Sequence, residues 1–306
     1  MVRINFKQTL ILAGSFIAGA IFPAKAELNI FACEPEYAAL AAEITGETAN
    51  IFSATTAQQD PHFIQARPSL IAKMRRADLV VCAGADLEIG WLPMLQMKSN
   101  NRQVQTTDKG LFYAADHVDN LDIPVNVDRS MGDVHTLGNP HVHLDPIRVG
   151  QLAIALTAKL SQLDDSNREL YQQNLASFEQ RWQLSTQKWQ QQAKPLKGMK
   201  VITYHSSFRY LLDFLGVEKV ADLEPKPGLP PSSTHLLKLL DIVNEQQVKL
   251  VLYTGYQDAK AAKWLADKTD VTRIQLPYTV GGDKHANDLF SLMDRQIAML
   301  LSAKMN

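Results

Sequence analysis

Twice along this 306-residue chain, short apolar runs alternate with helical periodicity, and one long helical segment separates the two stretches. In the first stretch Leu28–Cys33, Asn50–Phe52 and Asp78–Cys82 read as strands, with helices over Glu36–Glu43, Pro68–Arg76 and Leu87–Met97. Gly46 stops the first of these helices, and Ser69 is placed to cap the second. In the second stretch, strands Val201–Tyr204, Glu218–Ala221, Lys249–Tyr253 and Arg273–Leu276 alternate with helices Ser206–Leu215, Ser232–Asn244, Asp258–Lys268 and Ala286–Ser302. Alternation at this spacing calls for parallel sheets covered by helices. Residues 105–144 read as polar loop, Pro146 opens a helix through Leu160, and Asp164–Gln192 follows. There Tyr171, Leu175, Phe178, Trp182 and Trp189 fall at steps of 4, 3, 4 and 7, one helical face. Some 29 residues at 1.5 Å each make roughly 44 Å of helix. Its Gln-rich surface and short apolar stripe favour packing along a globular body over a coiled coil. The expected fold class is α/β: two lobes with parallel sheets flanked by helices, 27–163 and 195–306, joined by one long rigid helix, 164–194. No clear sequence repeat relates the halves.

Residues 1–26 read as a secretory signal: Arg3 and Lys7 precede an uncharged stretch of 14 residues, Thr9 to Phe22, and Ala24-Lys25-Ala26 is a small-x-small cleavage site. The stretch is too short to span roughly 30 Å of hydrocarbon, and no later segment reads as transmembrane. Cleavage after Ala26 removes three bases and no acids, leaving 28 bases against 32 acids, a net charge of −4. That balance gives no basis for nucleic-acid binding. Cys33 and Cys82 each end an apolar strand signal, and neither follows the cleavage site, so a lipidated N-terminal cysteine is not expected. Export makes a disulfide between them one reading; two small buried thiols is the other.

Three histidines stand in strand–loop–helix settings: His62 in Asp60-Pro61-His62, His141 in Asn139-Pro140-His141 and His205 in Thr203-Tyr204-His205. His205 ends a parallel-strand signal just before a helix, where open α/β sheets bind ligands. Neutral imidazole is the commonest metal ligand, and three suffice for zinc when water or a carboxylate completes a tetrahedron. His141-Val142-His143-Leu144-Asp145-Pro146 raises a rival, because it carries part of the HxHxDH signature of metallo-β-lactamase-like hydrolases. The final His is missing, and the α/β halves do not suit that sandwich. HExxH, GxSxG and a Walker loop are absent too, which favours binding over catalysis.

The motifs together resemble the metal-specific solute-binding proteins of ABC importers, the zinc and manganese cluster. The matching segments are Asp60-Pro61-His62 with Arg67-Pro68-Ser69, Ala77-Asp78-Leu79-Val80-Val81 with Gly84 and Leu87-Glu88, Gly138-Asn139-Pro140-His141 with Leu144-Asp145-Pro146, and Tyr204-His205-Ser206-Ser207-Phe208 with Tyr210-Leu211. Glu224-Pro225 and Pro230-Pro231-Ser232 fit the segment that follows. The resemblance implies two lobes bridged by a single helix, modest lobe movement, and a metal in the cleft held by His62 and His141 from one lobe and His205 from the other. It also implies a periplasmic receptor, monomeric and without enzymatic activity, that hands its ion to a membrane permease with its ATPase.

Many relatives carry an Asp ligand at the end of the last C-terminal strand, where this chain has Tyr278, with Asp283 and His285 nearby but shifted. The fourth ligand is thus open among water, Asp283 and other acids. Residues 105–137 hold only His117 and His135, read as surface residues or supports behind the ligands instead of a metal-scavenging loop. Three imidazoles without an assured carboxylate favour Zn2+, with Mn2+ or iron as the alternative cargo. Two further rivals are a secreted zinc hydrolase using the His141/His143 pair and a non-transport metal chaperone or adhesion protein of the same fold.

Overall fold

Residues 27–128 and 131–304 are described by the computed structural model. The expected leader, 1–26, lies outside them. Among the described residues no helix is long and apolar enough to cross a membrane.

The first half opens with strand β1 (Leu28–Ala32), helix α1 (Pro35–Thr45), β2 (Ala49–Ser53), α2 (Pro68–Met74), β3 (Leu79–Cys82), α3 (Leu92–Ser99) and β4 (Leu111–Tyr113). Its strands are all parallel, in the order β2-β1-β3-β4. β3 is buried at every position, as a strand covered by helices on both faces must be. Pro35 begins α1, where its fixed φ suits a first helical turn. Gly46, at φ 56°, stops it as expected.

Two helices start elsewhere than the sequence suggested. α2 begins at Pro68, so Ser69 lies inside it and does not cap it. α3 starts at Leu92, five residues later than the periodicity at Leu87 implied. Pro93 sets that start, because a proline fits only the first turn. The preceding turn takes positive φ at Gly84, Ala85 and Asp86. Glu88 closes this turn by accepting the Ala83 and Gly84 amides at 2.7 and 3.1 Å. β4 lies in the stretch read as loop: three residues with Phe112 buried, too few to show a period against polar flanks.

α4 (Pro146–Leu163) is capped by Asp145, which accepts the Ile147 amide at 2.7 Å. A short 3-10 turn then leads into α5 (Arg168–Ala193), whose 26 residues make about 39 Å of helix. The second half repeats the first in topology: β5 (Lys200–Thr203), α6 (Arg209–Leu215), β6 (Glu218–Asp222), α7 (Ser233–Gln246), β7 (Leu250–Tyr253), α8 (Lys260–Lys268), β8 (Thr272–Gln275) and α9 (Leu289–Lys304). Its parallel order β6-β5-β7-β8 matches β2-β1-β3-β4, although no sequence repeat announces it.

α5 fastens both halves. Its buried stripe includes Tyr171, Phe178, Trp182 and Trp189, as the spacing indicated, with Leu175 partly buried. Trp182 Nε1 donates to the Pro146 carbonyl at the start of α4. Trp189 Nε1 donates to Asp294 of α9. One continuous core joins the inner faces of both sheets through this helix, and the outer faces carry separate clusters. An interface this apolar resists wide hinge opening.

Candidate metal centre

The strand order places a switch point between β1 and β3 and another between β5 and β7, and loops leaving the carboxyl ends there form a natural ligand crevice. His205 follows β5 directly, and His62 sits in the loop after β2. His141 immediately precedes the short turn that leads into α4. Asn139 positions it, accepting the His141 amide at 3.0 Å and donating to the Ser206 carbonyl of the second half at 3.0 Å. Trp91 holds the His62 loop by donating Nε1 to the Pro61 carbonyl at 2.8 Å.

The three predicted ligands converge. One ring nitrogen from each of His62, His141 and His205 lies within 4.8 Å of the other two. Each ring is anchored through Nδ1: His62 to Asp60 at 2.7 Å, His205 to Glu224 at 2.7 Å, and His141 to the Tyr278 hydroxyl at 2.7 Å. A carboxylate only accepts, so Nδ1 of His62 and of His205 carries the proton and Nε2 keeps its lone pair. Nε2 of His141 and Nε2 of His205 are buried without a hydrogen-bond partner. Buried orphan acceptors are costly unless something binds them. These fit a metal ion, and outer partners of this kind commonly orient metal-binding imidazoles.

The electrostatics keep the site ready for a cation. Burial, and then the neighbouring His62, His205, His135 and His143, hold the His141 imidazole well below its ordinary range. Burial raises the Asp60 carboxyl, but the hydrogen bonds and charge of His62 outweigh it and hold Asp60 below its usual range. Burial also keeps the Tyr278 phenol far above its ordinary value, so it remains neutral. A 170 Å³ cavity borders His62 and His205, with Asp60, Glu224 and Tyr256 in its wall.

His143, the other half of the His-x-His pair, does not join the three. Its Nε2 donates to the Tyr278 carbonyl at 3.1 Å, and its Nδ1 lies 3.0 Å from Glu36. Glu36 in turn accepts the Thr279 hydroxyl. Asp283, an expected candidate for fourth ligand, pairs with Arg295 at 3.0 Å and caps the His285 amide instead. His117 stacks on Phe112 at the surface, as its reading required. His135 is half-buried and stands behind the three, its Nε2 3.2 Å from Nε2 of His62, as its reading as a surface or supporting residue allows. Nothing local in Asp133-Val134-His135 signals this, since no motif or period surrounds it.

Glu34, Glu36 and Glu88 are buried together beside the end of β1. Burial raises Glu88 to about 7 despite its backbone hydrogen bonds. Burial, then the charges of Glu88 and Glu36, push Glu34 well above the carboxylate range. Folding therefore binds protons that the unfolded chain releases above about pH 4.5, and stability falls as pH rises from there. Glu34→Gln, a fixed mimic of the protonated acid, should match wild type near pH 4 and exceed it at pH 8. The gap should widen by up to about 1.4 kcal/mol per pH unit. Urea denaturation across this range checks it, and a pH-independent gap would refute the assignment.

Comparison with known proteins places the chain among relatives of the same fold. Among curated proteins, the zinc-binding lipoprotein AdcA of Streptococcus pneumoniae serotype 4 is 23% identical over 265 residues, 84% of this chain and 52% of AdcA. The chain thus spans about half the length of the first curated relatives it matches. The high-affinity zinc uptake system protein ZnuA of Bacillus subtilis is 25% identical over 231 residues, covering 75% of this chain and 71% of that protein. The manganese ABC transporter substrate-binding lipoprotein PsaA of Streptococcus pneumoniae is 23% identical over 237 residues, 74% of this chain and 72% of PsaA. A crystal structure of ZnuA shares the fold with a TM-score of 0.77 at 22% identity, over 91% of this chain and 99% of that one. The family model for ZnuA, zinc-uptake complex component A, periplasmic, matches residues 30–303, and the chain belongs to that family.

Proposed function

We propose that this protein is the zinc receptor of an ABC importer, binding one Zn2+ through Nε2 of His62, His141 and His205. The ion sits in the crevice between lobes 27–163 and 195–306, which the 164–194 helix holds at a fixed spacing. The protein works as a periplasmic monomer after cleavage following Ala26, performs no chemistry, and passes the ion to a membrane permease with its ATPase. The observation that carries the reading is the Nε2 set: every Nδ1 is tied down, and two of the three Nε2 atoms are buried with nothing to bind. Zinc is favoured over manganese because the nearby carboxylates of Asp60 and Glu224 already hold imidazoles, which leaves nitrogen donors for the ion.

Metal-depleted protein reloaded with equal zinc and manganese should show one zinc per chain by native mass spectrometry and metal analysis. In cells lacking the gene, uptake of radiolabelled zinc from zinc-poor medium should fall and return with the wild-type gene. Retention of manganese in preference to zinc would replace the cargo, and metal-dependent ester, lactam or phosphoester turnover would replace the receptor reading.

A further inference from the structure

The fourth position of the site follows from which side chains are already committed. Tyr278 stands where many relatives place an acidic ligand, but its hydroxyl is occupied with Nδ1 of His141. Asp60 is bonded to His62, Glu224 to His205 and to the Gly228 amide, and Asp283 to Arg295. His135 lies outside the group of three whose nitrogens are within 4.8 Å of one another, but it touches one of them. His135 Nε2 lies 3.2 Å from His62 Nε2, with ring centroids 5.3 Å apart and the His141 ring centroid 6.4 Å away. Two nitrogens bound to one tetrahedral zinc at 2.0–2.1 Å lie about 3.3 Å apart, so this pair already has the spacing of ligands sharing an ion.

The loop that carries His135 is built into place. The Asp133 amide donates to the Pro227 carbonyl of the second half at 2.9 Å, and the Thr136 hydroxyl donates to Asp86 of the first at 2.6 Å. Asn120 holds the Leu137 carbonyl at 3.1 Å. Gly132 and Gly138 both take positive φ, 86° and 99°. A Cβ on Gly132 would strike the Pro227 carbonyl, and one on Gly138 would come within 2.8 Å of the Leu121 carbonyl. Only glycine lets the loop pass so close.

Resting on the three-histidine reading above, we propose that His135 is the fourth ligand of the bound ion, giving a site of four imidazoles in place of three plus an acid. In the ion-free protein Nε2–H of His135 donates to the lone pair of His62. On binding, His135 shifts to its Nδ1–H tautomer, and both Nε2 lone pairs turn to the metal. Four neutral nitrogen donors and no carboxylate make the site discriminate further against manganese.

The test uses the full chain loaded with zinc for X-ray absorption and with cobalt(II) for visible spectra. Wild type should show four imidazoles on zinc. His135→Ala should show three, an altered cobalt band, and a zinc affinity lower by about tenfold or more. His117→Ala, in the same loop region but stacked on Phe112, should change none of these. Three imidazoles in wild type, with His135→Ala leaving spectrum and affinity unchanged, would overturn the proposal and leave the three-histidine site standing. Full metal retention in both His62→Ala and His205→Ala would overturn the ligand set itself, and this proposal with it.

Discussion

His141→Ala is expected to cost on the order of 3 kcal/mol of zinc binding, a loss of more than a hundredfold in affinity. Zinc held by four protein ligands binds with roughly 10–16 kcal/mol at neutral pH, so each ligand carries about a quarter of that. His141 should lose at least its share, because it is fully buried. Its removal also strands the Tyr278 hydroxyl, whose buried surroundings make an unpaired polar group cost about 1–3 kcal/mol of stability. The informative control is His143→Ala, two residues away in the same motif. Both nitrogens of His143 face inward partners, the Tyr278 carbonyl and Glu36. Its loss should leave zinc affinity within about tenfold but lower stability by roughly 1–3 kcal/mol, because the Tyr278 carbonyl loses its buried donor. Competition against a chromophoric chelator, paired with thermal melts, separates the two effects. Equal loss of affinity in both variants would mean that His143 is a ligand and would revive the His-x-His pair as a metal-holding unit.

Removing the disulfide should produce the largest effect on stability. The structure settles the alternative left open for Cys33 and Cys82: they are bonded, with Cα atoms 4.8 Å apart. The pairing follows from register. β1 and β3 are parallel neighbours with Ala32 opposite Val81, so the next residues along, Cys33 and Cys82, come side by side. The bridge closes a loop of about 50 residues, for which the chain-entropy model gives about 4 kcal/mol of stabilisation. Cys33→Ala with Cys82→Ala should therefore lower unfolding free energy by about that amount under non-reducing conditions. Wild type in excess dithiothreitol should unfold at the midpoint of the double variant. An unchanged denaturation midpoint in the double variant would show that the bond contributes nothing to the folded state.

Much of the architecture was legible because helices and parallel strands write their burial into the sequence at fixed periods. The stripe Tyr171, Phe178, Trp182, Trp189 located the long helix, and the unbroken apolar runs at Leu79–Cys82 and Leu250–Tyr253 located central strands. Where a local rule competed with periodicity, the periodic reading failed. Pro93 moved the start of α3, and the turn that opens with positive φ at Ala85 and Asp86 runs on through Leu87–Trp91, which read as helix. β4 is only three residues long and gave no period to detect. The matching strand orders of the two halves are likewise invisible to sequence comparison, because topology constrains which strands are neighbours and not which side chains fill them.

The sequence by itself determined the α/β class and the bridging helix and singled out His62, His141 and His205, because each rests on local spacing or on a motif. Tertiary structure alone decided that Nδ1 is tied down in all three rings, that Tyr278 stands behind His141, that His143 faces Glu36, and that His135 reaches His62. Those are through-space relations between residues as much as 137 positions apart. A hydrogen bond of 2.7 Å depends on the packing of both sheets against one helix, and no local pattern in the chain records it.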